Sequence, residues 1–239
     1  MNNNASTGTP LLIADRLCHQ DGQRLLLNQV SFSLMAGQKV ALLGRSGSGK
    51  SLLLHALADL LPLQSGEIYL NDSFGLTHHP LAPISTIDPK MYRSRVVLLH
   101  QMPSLTEGAV LDNLTLPFSF KHHQDKAFDK DWHLSCLQVL GRDESFLSRS
   151  ADQLSGGERQ IVNFLRSLQF DPSIALFDEI TSALDGETAD ALIRLTLDWY
   201  GDGLDKAMMW VTHTPDEAAK LSAQVWHMDN GALNDGRRV

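Results

Sequence analysis

The octapeptide GRSGSGKS at Gly44–Ser51 constrains this chain more than any other stretch. It follows the apolar run Lys39–Leu43 and opens Lys50–Leu61, a segment so apolar on every side that it reads as a largely buried helix ended by Pro62. A strand, the spacing G-x-x-x-x-G-K-[ST] and a helix, in that order, make a P-loop. Its glycines let successive backbone N–H groups curl around a polyphosphate without Cβ interference, and the helix N-terminus adds a partial positive charge. Gly44, Arg45, Ser46, Gly47, Ser48 and Gly49 would form the cradle, Lys50 would bridge the β- and γ-phosphates, and the Ser51 hydroxyl would ligate Mg²⁺. Taken alone the octapeptide is only a glycine turn beside a surface lysine; the flanking strand and helix favour phosphate.

A P-loop needs a second strand that carries acids. Ile174–Phe177 followed by Asp178 and Glu179 supplies one, since an apolar strand ending in two carboxylates delivers both to the carboxyl edge of a sheet. Asp178 would hold Mg²⁺ and Glu179 would orient or activate the attacking water. Val96–Leu99 and Met208–Thr212 have the length and composition of parallel strands covered on both faces, while Leu11–Ile13, Val30–Leu34 and Gly66–Leu70 read as further strands. Between them, Gln101–Phe170 is more polar and helical in period. The expectation is an α/β fold with a helical subdomain inserted into the core. The boundaries are a tail at 1–10 and one domain at 11–239, with a core at about 11–100 and 171–239 and a helical part at about 101–170.

With 239 residues, 43% of them hydrophobic, the chain can bury a sizeable core. A formal net charge of −8 excludes a protein whose main task is to neutralise phosphate backbones, so bound phosphate must sit in a local site and no nucleic-acid partner is expected. Cys18 and Cys136 lie far apart in no metal-ligand spacing, which fits a reducing compartment without a disulfide framework. The opening MNNNASTGTP lacks the basic flank and apolar run of a secretory signal. The longest apolar stretch, Leu52–Leu63, is interrupted by His55, Asp59 and Pro62 and falls short of the roughly 20 residues that span a bilayer. A role in a membrane process therefore requires a separate partner.

LSGGERQ, Leu154–Gln160, is at least a capping box, with Ser155 as N-cap and Glu158 reaching back, ahead of an amphipathic run through Ile161, Val162, Leu165 and Leu168. It also resembles the signature motif of ATP-binding cassette (ABC) ATPases. Gln101 resembles that family's Q-loop glutamine, Ser182–Asp185 its D-loop, and His213 its H-loop histidine, all in the family's order. The resemblance spans about Leu11–Met228. It implies a P-loop NTPase cassette with a RecA-like core, an inserted helical subdomain and an N-terminal antiparallel β subdomain. It also implies a homodimer with ATP and Mg²⁺ at its interface. One subunit would contribute Gly44–Ser51, Gln101, Asp178, Glu179 and His213, and the other Ser155, Gly156, Gly157 and Asp185. Lys50, Glu179 and His213 would act in hydrolysis, and Ser51, Gln101 and Asp178 would hold the metal.

Within that family the phrases at Met91–Phe118, Asn163–Asp185 and Trp210–Ser222 are similar to the ATPase subunits of a bacterial iron exporter. The resemblance implies an ATPase on the cytoplasmic side of the inner membrane that works a separate permease. Alternatives are a cassette for another exported or imported substrate, and a soluble cassette acting on nucleic acid or ribosomes. The acidic balance and the lack of sustained heptads disfavour the latter. A module that binds nucleotide without turnover is disfavoured by intact Glu179 and His213. The pairs His78-His79 and His122-His123 read as solvated loop histidines rather than iron ligands, because no carboxylate or cysteine frame accompanies them. Between Leu11 and Leu34 the only rings are His19 and Phe32, and Phe32 falls in a buried strand. His19 is left as a weak adenine-stacking surface, so loose base selectivity is expected.

Overall fold

The computed structural model describes residues 10–71, 81–123 and 125–234. The first half of the chain runs β1 (Pro10–Asp21), β2 (Arg24–Met35), β3 (Lys39–Leu43), α1 (Lys50–Leu57), β4 (Ser65–Asn71), β5 (Leu81–Pro83), α2 (Pro89–Arg95) and β6 (Val96–Leu99). It continues through α3 (Val110–Thr115), α4 (Lys130–Val139), α5 (Gly156–Leu168), β7 (Ile174–Asp178), α6 (Gly186–Tyr200), β8 (Ala207–Val211), α7 (Pro215–Lys220), β9 (Gln224–Asp229) and β10 (Ala232–Asn234). The chain divides into two compact units. One holds the residues up to Leu98 with Pro172–Asp178 and those from Asp202 onward; the other holds Leu99–Asp171 with Glu179–Gly201.

The first unit contains two sheets. In one, β1 pairs antiparallel with both β2 and β4, in the order β2-β1-β4-β5. This is the expected antiparallel part, with longer strands than the apolar runs predict. The hairpin turns at Gly22 and Gln23, between the paired residues Asp21 and Arg24, and irregular register between Ala14 and Leu17, where Arg16 has φ 49°, breaks the period-two pattern that would have marked β1. The other sheet has the order β10-β9-β3-β8-β7-β6. In it β9, β3, β8 and β7 are mutually parallel neighbours. Every residue of β7 and of β8 is buried, as continuous apolar runs in a parallel sheet require. Leu53, Leu54, Leu57, Leu176, Met209 and Trp226 belong to one apolar cluster. The expected strand at Met208–Thr212 lies one residue earlier.

The helix predicted over Lys50–Leu61 ends at Leu57, and Pro62 is not what stops it. Asp59 adopts the left-handed conformation (φ 55°), the Asp59 amide donates to the Ala56 carbonyl at 3.1 Å, and the Leu60 amide reaches back to His55 at 2.9 Å. That pair of bonds is a Schellman ending, which closes the helix at Leu57, well before the proline.

The second unit holds α3 to α6. On α5 the residues Ile161, Val162, Phe164, Leu165 and Leu168 are buried, the stripe that its sequence period demands. The sequence predicts a core that includes about 171–239. By packing, Glu179–Gly201 joins the helical unit instead, with α6 against α4.

Candidate nucleotide site

In the first unit three strand ends come into line. Leu42 of β3 and Asp178 of β7 both pair with Val211 of β8. Gly44 and His213 each lie two residues beyond that line, so the glycine loop, Asp178 and His213 emerge at the carboxyl edge of adjacent parallel strands. That edge is where α/β sheets bind ligands. The Ser51 hydroxyl donates to Asp178 Oδ1 at 3.0 Å. The Lys50 side chain is buried, and its ammonium donates to the carbonyls of Gly44 (2.8 Å) and Arg45 (3.1 Å), curling the loop around it. His213 is exposed.

Gly49 must be glycine. It caps α1 at φ 106°, and a Cβ there would lie 2.9 Å from the Leu26 carbonyl oxygen and 2.9 Å from Met228 Cε. The N-terminus of α1 has no side-chain cap and no acid in its first turn, whereas α4, α5 and α6 are capped by Asp129, Ser155 and Asp185. Ser48 Oγ is buried without a hydrogen-bond partner. An uncapped helix start, an orphaned hydroxyl and a buried ammonium together fit a polyphosphate. The hydroxyl of Ser51 and the carboxylate of Asp178 are the hard oxygen donors that Mg²⁺ prefers.

In the second unit Gln101 Nε2 donates to Glu179 Oε2 at 3.2 Å. Glu179 has φ 49°, a left-handed conformation that costs a non-glycine residue of order 1 kcal/mol or more and clusters at functional positions. The capping box forms as expected: Ser155 Oγ accepts from the Glu158 amide at 3.2 Å, and Glu158 Oε2 accepts from the Ser155 amide at 3.0 Å. Arg149 Nη1 donates to Glu158 Oε1 at 2.5 Å, and Arg142 Nε stands 3.9 Å from the same oxygen. Burial pushes the Glu158 carboxyl up, but the Ser155 amide and Arg149 outweigh it and leave the group below the ordinary range. Gly157 lies against the D-loop, where a Cβ would meet the Ala183 carbonyl oxygen at 2.9 Å. Asp185 caps α6, accepting from the Thr188 amide at 2.9 Å and the Thr188 hydroxyl at 3.0 Å, and the amide above all holds its carboxyl below the usual range.

Sequence reasoning missed the partners of Glu158 and assigned no task to Gln160. Arg149 and Arg142 lie outside any motif, and only the fold brings them to α5. His19, offered for adenine, has its Nδ1 engaged with the Pro62 carbonyl at 2.9 Å. Phe32 is buried edge-on against Trp226, as a core strand predicts. His123 is not the solvated loop residue expected: its ring stacks on Phe170 at 3.8 Å, and burial, with His122 and Lys126 nearby, lowers its pKa. His78 and His79 lie outside the described residues. Among those described, no cluster of three or more His, Cys, Asp or Glu could hold a metal ion.

The site and the two-sheet core are those of a P-loop nucleotide-hydrolysing cassette. The sequence profile of the ABC transporter family matches residues 27–182, and the chain belongs to that family as an ATP-binding, ATP-hydrolysing subunit. It is 34% identical over 209 residues to the probable iron export ATP-binding protein FetA of Escherichia coli K12, covering 87% of each chain. It is 33% identical over 213 residues to the glutamate/aspartate import ATP-binding protein GltL of the same organism, covering 89% of this chain and 84% of that one. In fold it matches the dimeric cassette MJ0796 bound to ADP and phosphate, with a TM-score of 0.76 at 24% identity over 95% of this chain and 98% of the other.

Proposed function

We propose that this ATPase drives iron export through a separate membrane permease, as a homodimer on the cytoplasmic face of a bacterial inner membrane. The observation that carries the reading is the 34% identity, over 87% of each chain, with a protein named for probable iron export. No helix among the described residues is long and apolar enough to cross a membrane, which is in keeping with a separate permease.

In this reading the backbone of Gly44–Gly49 and the α1 N-terminus hold the phosphates of ATP. Lys50 exchanges its bonds to the Gly44 and Arg45 carbonyls for phosphate oxygens. Ser51 and Asp178, with Gln101, hold Mg²⁺, which supplies charge neutralisation at the phosphates. Glu179 orients and deprotonates the attacking water, and His213 steadies the developing charge. Ser155, Gly156, Gly157 and Asp185 serve the nucleotide of the opposing subunit. Because Ser155 Oγ accepts from the Glu158 amide, its own proton is left to donate outward.

A strain lacking this chain should become more sensitive to iron than to other metals in a panel, with sensitivity reversed by the wild type and not by Ser155→Arg. Unchanged iron tolerance would overturn the substrate. A functional Ser155→Arg subunit would overturn the shared site. The comparable identity to a glutamate/aspartate import subunit favours a second reading, import of another small solute. The permease that co-purifies from detergent-solubilised membranes distinguishes the two.

A further inference from the structure

The segment after β6 is pinned to the helical unit through its carbonyls. Gln160, buried on α5, turns its Nε2 to the carbonyls of His100 (3.0 Å) and Gln101. Two acceptors facing one amide fix its orientation, since the opposite flip would set oxygen against oxygen. Six residues along the same helix, Arg166 Nη2 donates to the Ser104 carbonyl at 3.0 Å. Farther on, buried Asn113 accepts from the Thr106 amide at 2.8 Å and donates to the Thr106 and Ala109 carbonyls at 3.0 and 3.1 Å. The Gln101 side chain, by contrast, is exposed and reaches Glu179 at 3.2 Å. Gln160 Oε1 is buried without a partner. A buried acceptor left without a partner costs free energy, which the two donor bonds from Nε2 to the His100 and Gln101 carbonyls must offset.

We propose that Gln160 is a positioning residue for hydrolysis. It fastens the Gln101 backbone to α5 and thereby sets the Gln101 side chain against Glu179. Since α5 begins at Ser155–Gly157, the same strut ties Gln101 to the helix end that faces the opposing nucleotide. The inference rests on the assignment of Gln101 and Glu179 to the hydrolytic site.

The test is a double-mutant cycle on the full chain. Gln160→Met should lower ATP turnover about tenfold, the scale of effect expected when a catalytic group is displaced by less than an ångström. Fluorescent-nucleotide affinity should stay within about twofold, because the phosphate loop is untouched. In a Gln101→Ala background Gln160→Met should add almost nothing, since residues acting through one another are not additive. Hydrogen exchange of the peptide spanning 100–109 should quicken about fivefold, the equivalent of one lost net hydrogen bond. If Gln160→Met does not fold, Gln160→Asn, whose amide is one methylene short of the carbonyls, takes its place in every arm. Additive losses in the cycle, or unchanged exchange over 100–109, would overturn the positioning role alone. A Gln101→Ala variant with full turnover would overturn the site assignment and the inference together.

Discussion

Replacing Arg149 with Met tests how the signature helix is held. Arg149 and Glu158 meet at 2.5 Å, with side-chain exposures of 40% and 15%. The exposed arginine argues for the small coupling of a surface pair, about 0.2–1 kcal/mol. The nearly buried carboxylate argues for a charge-assisted bond of roughly 1.5–3 kcal/mol. Arg142, 3.9 Å from the same oxygen, takes over part of the attraction once Arg149 is gone. The expected coupling between Arg149→Met and Glu158→Gln is therefore about 1 kcal/mol, measured as a cycle of urea midpoints. Glu158→Gln is the right partner because an amide oxygen still accepts from the Ser155 amide while the charge is removed.

Linkage supplies a second readout. The Glu158 carboxyl is held below its ordinary value in the folded protein, so its contribution is fully present above the unfolded carboxylate range. That contribution is lost as pH falls through the lower folded value. The stability gap between wild type and Glu158→Gln should thus be constant from about pH 8 to 6 and shrink toward pH 4. A gap that widens on acidification, or a cycle with no coupling at neutral pH, would refute the reasoning.

Glu179→Gln should reduce ATP turnover by at least about a hundredfold while nucleotide binding persists, because the amide keeps the shape but cannot take a proton; turnover near wild type would remove Glu179 as the base. Tyr92→Phe should destabilise the first unit by about 1 kcal/mol in urea melts, since the buried hydroxyl donates to the Leu57 carbonyl at 2.5 Å, with turnover per folded molecule unchanged. Burial, aided by Asp198 and Asp129, pushes the Cys136 thiol up to about 11. Only about one molecule in a thousand is then thiolate at pH 8, so Cys136 should resist alkylation until the chain unfolds; fast native labelling followed by mass spectrometry would contradict the packing.

Much of the site was legible because its logic is local. The glycine loop spans eight consecutive residues, and its glycine spacing with Lys50 and Ser51 is enough to suggest phosphate binding. The capping box at Ser155 and Glu158 is legible for the same reason, being a four-residue device. The short apolar strands were legible because burial on both faces leaves continuous runs, as in β7 and β8. The full length of the β1–β2 hairpin was not, because irregular register at Arg16 interrupts the alternation that announces a half-buried strand. Nor was the stacking of His123 on Phe170, which joins positions distant in sequence.

By itself, then, the sequence determined the family, the glycine loop between β3 and α1, the two acids at the end of β7 and the cap of the signature helix. All of these depend on backbone conformations set by near neighbours. Tertiary structure alone decided that Glu179–Gly201 packs with the helical unit, that two arginines converge on Glu158, and that Gln160 grips the backbone beneath Gln101. Those outcomes depend on which distant surfaces bury one another. A polar side chain that finds its partner 60 residues away carries no mark of it in the local pattern.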